Sequence, residues 1–269
     1  MVAYYACQVA KEILEASGLD ADFITSGRLG LAFGSTHGSP TIQRQIYKCF
    51  FGQTDAKFAS IGAVDYLKSM VRTTAVNITK MFGMQDAMLC GGADEYDTTT
   101  VAVFDNLLAC SSAFNDTPHI TPRPFDAQRD GLVVARCRAV MLEEFEIAKK
   151  RGAPILEEII GFPCNNNGGD LILPNLDGIT ETIRLGLKDA GIASDIVDFV
   201  SAHATGTKMG DVIEAQAIAK VYGDSPVVAG LKSSMGHTMA SCDAIETILS
   251  LYMMEAGFIA PTLNLNKDR

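Results

Sequence analysis

Apolar positions follow a helical spacing at the start of the chain. Val2, Ala6, Val9, Ile13 and Ala16 predict an amphipathic helix over 2–17, with Gly18 as its stop. Residues 29–33 read as a short apolar strand that ends in the loop Gly34-Ser35-Thr36-His37-Gly38. Val64, Leu67, Val71, Val76 and Ile78 predict helix within 62–82, and 87–90 reads as a buried strand running into Gly91-Gly92. Residues 115–131 are turn-rich, with Pro118, Pro122, Pro124 and Gly131. Strands are predicted at 132–142 and 155–161, and a polar Asn- and Gly-rich loop at 163–178. Ile179, Ile183 and Leu187 give a helix that Asp177 would cap and Gly191 would stop. Strands at 197–202 and 227–230 are each followed by a loop and a helix, the helices at about 210–221 and 238–256. Helices alternating with buried apolar strands indicate α/β layers.

Composition narrows the class. The chain has 269 residues, of which 48% are hydrophobic, enough for a large core. Charged residues make up 20% and the net charge is −10, so nucleic acid is not the expected partner. The seven cysteines stand singly, with no paired spacing, which argues against a zinc site and against a disulfide framework. No apolar run approaches the ~20 residues that a membrane span needs. The N-terminus lacks a basic stretch before an apolar one. A soluble, cytoplasmic protein is expected, with no membrane partner.

The candidate chemistry lies after two of the strands. His203 stands in Ser201-Ala202-His203-Ala204-Thr205-Gly206-Thr207, at the carboxyl end of a strand, where sites collect in α/β folds. Lys232 and His237 stand in Gly230-Leu231-Lys232-Ser233-Ser234-Met235-Gly236-His237-Thr238, after the next strand. Each alone reads as an ordinary loop histidine or a solvated lysine. Two such strand–loop–helix units in succession make a much stronger signal.

These residues carry a resemblance. His-x-Thr-Gly-Thr with Gly-Asp and Glu214 behind it, then Lys-Ser-x-x-Gly-His, resembles the β-ketoacyl-acyl carrier protein synthase family, of the bacterial elongating type. Pro124-Phe125-Asp126-Ala127-Gln128-Arg129-Asp130-Gly131, Asn115-Asp116-Thr117-Pro118 and Gly257-Phe258-Ile259-Ala260-Pro261-Thr262 are similar to further segments of it. The resemblance spans nearly the whole chain. It implies a thiolase-like α/β fold, layered α-β-α-β-α, with two related halves at 1–130 and 131–269. It implies an acyltransferase performing decarboxylative Claisen condensation of an acyl group with malonyl-acyl carrier protein. His203 and His237 would then donate hydrogen bonds to the enolate oxygen. Lys232 would hold the histidine network, with Glu214 pairing with or orienting the lysine. Thr205 and Thr207 would bind the phosphopantetheine arm, which arrives on acyl carrier protein as substrate. No bound cofactor, no metal and a homodimer are the corresponding expectations.

The resemblance breaks at the nucleophile. The family's cysteine sits on a strand-to-helix turn, where a helix N-terminus lowers the thiol pKa. Here Phe82-Gly83 runs straight into Met84-Gln85-Asp86, so a strand and a helix of roughly thirty residues in all are expected to be absent. The first strand and the C-terminal Gly-Phe-Gly-Gly segment are likewise expected to be wanting. Cys110, in Leu108-Ala109-Cys110-Ser111-Ser112, is a poor substitute, because the prolines after it forbid an activating helix. Cys90 reads as a core residue. Arg136-Cys137-Arg138 in an apolar strand and Ala204 in place of a commoner glycine are further departures. Two alternatives to condensation follow: a non-catalytic, chain-length-type partner subunit, or a malonyl-carrier decarboxylase lacking the nucleophile.

Overall fold

The computed structural model describes residues 2–26, 29, 31–52, 62, 65, 68–71, 73–82, 88–94, 97–134, 138–165 and 173–266. The chain divides into two compact units, each assembled from three stretches. The first takes Met1–Val103, Val134–Leu156 and Thr238–Leu249; the second takes Phe104–Val133, Glu157–His237 and Ser250–Arg269.

The first unit holds helices α1 (Val2–Ser17), α2 (Ala21–Thr25), strand β1 (Leu31–Gly34), α3 (Pro40–Phe50), α4 (Thr73–Phe82), β2 (Met88–Gly92), most of α5 (Thr98–Asn106), β3 (Arg138–Leu142) and α6 (Phe145–Lys150). Helix α1 forms over the predicted span and ends where Gly18 turns to φ +65°. Its buried line is Ala6, Ala10 and Leu14, one residue away from Val9 and Ile13, which pack at the margin. With Leu29, Phe33, Ile78 and Ala93 these residues make the core. Strand β2 pairs in parallel with β1 and antiparallel with β3. The loop after β1 is tied by Asp94, which accepts hydrogen bonds from the Ser35 hydroxyl and from the Thr36, His37 and Ala240 N–H groups.

The second unit holds α7 (Leu176–Ala190), β4 (Phe199–Ser201), α8 (Gly210–Tyr222), β5 (Val227–Ala229), α9 (Lys232–Met235) and the end of α10 (Cys242–Ala256). Strands β4 and β5 are parallel, with Ser201 opposite Ala229. Ala202, Ala204 and Ile218 form the buried centre, with Phe125, Ile183, Val200, Tyr222 and Val228 around it.

Several predicted elements differ. Residues 155–161 form no ladder among the described residues, and Leu156 and Ile159 stay 71% and 61% exposed. An apolar run becomes a strand only when a neighbour supplies hydrogen bonds. Helix α7 is capped by Asn175, not Asp177: the Asn175 side-chain Oδ1 accepts from the N–H groups of Asp177 and Gly178, and Asp177 lies in the first turn. Within 62–82, Asp65, Lys68 and Ser69 are helical, Val71 lies in a turn, and α4 runs from Thr73 to Phe82. Among the described residues of 132–142, regular strand is confined to β3, and 239–241 form a 3-10 turn before α10. Val64, Leu67, Ala87, Arg136, Cys137 and the Gly83–Met84 junction lie outside the described residues.

Candidate active site

Parallel pairing of β4 and β5 sends both chains out at the same edge. Ala202 extends the pairing, its N–H donating to the Ala229 carbonyl at 3.0 Å. The two candidate loops therefore start side by side, at the carboxyl end of the strands. Gly230 permits their approach: a Cβ there would lie 2.9 Å from the Cβ atoms of Ala204 and Pro124.

The His203 loop is wrapped over the first turns of α8. Each oxygen of Glu214 takes one loop N–H, from His203 at 2.7 Å and from Ala204 at 2.8 Å. Ala204 is held at φ +39°, in the left-handed region that favours glycine. The Gly206 N–H donates to Asp211 Oδ1 at 3.0 Å, and Gly206 itself sits at φ +81°. The hydroxyl oxygens of Thr205 and Thr207 lie 3.0 Å apart.

The second loop makes one tight turn. Lys232 opens α9 and is 1% exposed. The Gly236 N–H closes the turn on the Lys232 carbonyl at 2.8 Å, with Gly236 at φ +71°. His237 is fixed through its own N–H, which donates to the Val133 carbonyl at 2.6 Å.

These constraints bring three side chains together. The rings of His203 and His237 lie 5.3 Å apart between centroids, at 88° to each other. Lys232 Nζ lies 3.2 Å from His203 Nδ1. An ammonium group has no acceptor, so it donates, and Nδ1 must accept. The proton of a neutral His203 is then on Nε2. Desolvation, and after it the Lys232 charge, push the His203 pKa from 6.5 down to about 4. His203 keeps an exposed surface, but either cause leaves the imidazole neutral at physiological pH.

Both oxygens of Glu214 hold backbone N–H groups of the His203 loop, and the Lys232 charge also acts on this carboxylate. Burial raises its pKa, and those two N–H groups partly restore the charged form.

The Pro-Phe-Asp-x-x-Arg-Asp-Gly segment proves to be a brace. Phe125 N–H donates to Asp211 Oδ2 at 2.8 Å, and Arg129 donates to the carbonyls of Thr207 and Lys208. Asp126 accepts from Arg123, from Gln128 N–H and from Asn266 N–H. The final strap locks the second loop, because Thr262 Oγ1 accepts from Gly230 N–H and Ser233 Oγ accepts from Leu263 N–H. Asp211, 1% exposed, and the segment ending at Thr262 entered the sequence pattern only as matching motifs, and their anchoring roles were not read from it, although Asp211 stands three residues before Glu214 on the same helix face.

No cysteine with a resolved shift is activated. Burial raises the thiol pKa of Cys7 and Cys90, and burial together with Asp105 raises that of Cys110. Cys110 makes an isolated bridge to Leu132 and is followed by turns, as its prolines require. No helix among the described residues is long and apolar enough to cross a membrane.

Residues 156–266 match the family described as Beta-ketoacyl synthase, C-terminal domain. Over 295 aligned positions the chain is 31% identical to 3-oxoacyl-[acyl-carrier-protein] synthase 1 of Haemophilus influenzae, a match that takes in 98% of this chain and 71% of that protein. A beta-ketoacyl synthase from Burkholderia phymatum superposes with a TM-score of 0.91 at 36% identity, covering 98% of this chain and 72% of the other. A type II PKS ketosynthase solved in complex with its acyl-carrier protein superposes with a TM-score of 0.88 at 25% identity, covering 98% and 74%. With a paired-histidine site standing on a thiolase-like α/β fold, the chain belongs to the 3-oxoacyl-acyl carrier protein synthase family of condensing enzymes.

Proposed function

We propose that this chain decarboxylates malonyl thioesters carried on acyl carrier protein, the enolate-forming half of condensation, without forming an acyl enzyme of its own. The observation that supports this most is the perpendicular pair of His203 and His237, 5.3 Å apart, with Lys232 on the Nδ1 of His203. A malonyl thioester placed with its carbonyl oxygen at this pair meets the Nε2–H of His203 and the edge of His237. The bond between the methylene and the carboxylate carbon breaks, carbon dioxide leaves, and the electron pair becomes the enolate of an acetyl thioester. Protonation of that enolate at carbon by water gives the acetyl thioester. Donors aimed at the developing oxyanion stabilise it by several kcal/mol, on the order of the loss seen when one such donor is removed. A neutral His203 suits the task, since it can donate without giving its proton away. Thr205 and Thr207 receive the phosphopantetheine arm.

The complete reaction, in which the enolate attacks an acyl group and gives a 3-oxoacyl product, needs a thiolate to hold that acyl group. Burial raises the thiols of Cys7, Cys90 and Cys110, which disfavours a thiolate at each of them. The strand and helix that would carry the nucleophile belong between Gly83 and Met84.

The test uses malonyl carrier protein labelled in the free carboxylate. Release of labelled carbon dioxide with acetyl carrier protein as the product is expected, and His237→Ala should slow it about 100-fold. A 3-oxoacyl product would show that a thiolate is at work. No release at all would reject the decarboxylase and leave a non-catalytic partner subunit.

A further inference from the structure

One buried carboxylate near the site has a part that the histidines and lysine do not explain. Asp211 is 1% exposed, in the first turn of α8. Its Oδ1 accepts from Gly206 N–H at 3.0 Å, and its Oδ2 accepts from Phe125 N–H at 2.8 Å. The Thr207 backbone also donates to it, and Arg129 Nε stands 3.8 Å away. Two of the backbone groups it holds belong to residues at positive φ, Gly206 at +81° and Phe125 at +62°. Phe125 has a Cβ, so that conformation is strained and persists only where neighbours enforce it. No side chain fits at Gly206, because a Cβ there would lie 2.8 Å from the Gly131 carbonyl oxygen.

The carboxylate thus fixes the turn between the two threonines. Gly206 joins Thr205 to Thr207, and their hydroxyls meet at 3.0 Å. Glu214, one helical turn later, fixes the other end of the loop, at His203 and Ala204. Two acids on one helix face divide a single loop: one sets the imidazole and the other sets the hydroxyl pair. Burial raises the pKa of Asp211 against the pull of its N–H donors and of Arg129. Desolvation is the larger of these opposing effects, so the group's charge is disfavoured by burial and supported by its donors.

We infer that Asp211 is a positioning residue that, through Gly206 and the Thr205–Thr207 hydroxyl pair, sets how the site grips the amide-bearing arm of its thioester substrate. This rests on the malonyl-thioester reading above and adds to it a division of labour: Asp211 governs binding of the arm, and Glu214 governs the chemical step.

Asp211→Asn tests it, since an amide keeps the shape but replaces one acceptor oxygen with a donor that Phe125 or Gly206 cannot use. Carbon dioxide release is measured with malonyl carrier protein and with the malonyl thioester of methanethiol, which has no arm. Affinity for free pantetheine is measured in parallel. For Asp211→Asn we expect KM for malonyl carrier protein to rise about tenfold with kcat little changed, no change on the armless thioester, and pantetheine binding weakened about tenfold. Glu214→Gln should show the reverse split, a fall in kcat on both substrates. In a Thr205→Ala, Thr207→Ala background the Asp211 change should add almost nothing. Equal losses on both thioesters, or unaltered pantetheine affinity, would overturn the inference. If Asp211→Asn does not fold, Arg129→Lys, which loosens the Thr207 and Lys208 carbonyls, must give the same KM signature or the idea fails. If the unmodified protein releases no carbon dioxide from either thioester, the decarboxylase reading falls by itself, and the pantetheine measurement still decides the role of Asp211.

Discussion

His203 is the residue whose environment decides most, and its protonation leaves a mark on stability. In the unfolded chain its pKa is about 6.5, and in the fold about 4. Between those values the unfolded state binds a proton that the folded state refuses, so stability falls as pH drops through that window. Its contribution is complete above about 6.5 and fully lost below about 4. The buried acids act with the opposite sign. Asp211 and Glu214 have raised pKa values, so they favour the fold while protonated and lose that contribution as pH rises through their folded pKa. The way to isolate the histidine is a difference: thermal midpoints of the protein and of His203→Gln, followed from pH 7 to pH 4. The midpoint of the unmodified protein should approach or cross that of the variant on acidification. Parallel curves would mean that the Lys232 contact and the crowding do not depress the imidazole. At this scale the sequence was partly legible. His203, Lys232 and His237 could be picked out because each follows a strand and precedes a turn. The part of Asp211 could not, because its partner Phe125 is 86 residues away in sequence and the donor is a backbone group that every residue has. The part of Glu214 was legible only as a nearby acid, since nothing local says whether a carboxylate faces a lysine or two amides.

Elements show the same divide between local and distant causes. Helix α1 follows from its own periodicity, and β4, α8 and β5 follow from short apolar runs between turn signals. Residues 155–161 have as strong a β pattern and make no ladder among the described residues, because pairing depends on a strand elsewhere in the chain. The start of α7 turned on two residues: Asn175 and Asp177 are both good capping residues, and the one whose backbone is extended takes the place. Asn175 is at φ −119°, ψ 126°, outside the helix, and its side-chain Oδ1 serves two N–H groups. Replacing it with alanine should lower unfolding free energy by about 1 kcal/mol, read as a shift in the urea midpoint with the slope unchanged. Asp177→Ala should cost less, because that residue acts on the helix dipole and pairs with Lys220 at 3.2 Å only on the surface. If Asp177→Ala were the more costly of the two, the assignment of the cap would be wrong.

At the scale of the molecule the comparison with the family turns on how the chain aligns with its relatives. The match to the Haemophilus influenzae protein occupies 295 positions, more than the 269 residues of this chain, while taking in 98% of it. Gaps in such a match are internal, so the relative has residues within the matched span that have no counterpart here. The superposition on the Burkholderia phymatum synthase nevertheless reaches a TM-score of 0.91. His203, Glu214, Lys232 and His237 all belong to one compact unit. The proposed decarboxylation and the acyl transfer it leaves out can therefore be tested separately. Inserting the unmatched stretch of the Haemophilus protein between Gly83 and Met84 should create one thiol that iodoacetamide modifies at neutral pH and that an acyl thioester protects. The same insertion should turn acetyl carrier protein as product into a 3-oxoacyl carrier protein, with carbon dioxide release changed by less than about tenfold, because the histidine pair is untouched. A folded chimera that gains the reactive thiol but still forms no carbon–carbon bond would show that this site cannot hand its enolate to an acyl enzyme. A folded chimera with no reactive thiol would place the absent nucleophile somewhere other than Gly83–Met84.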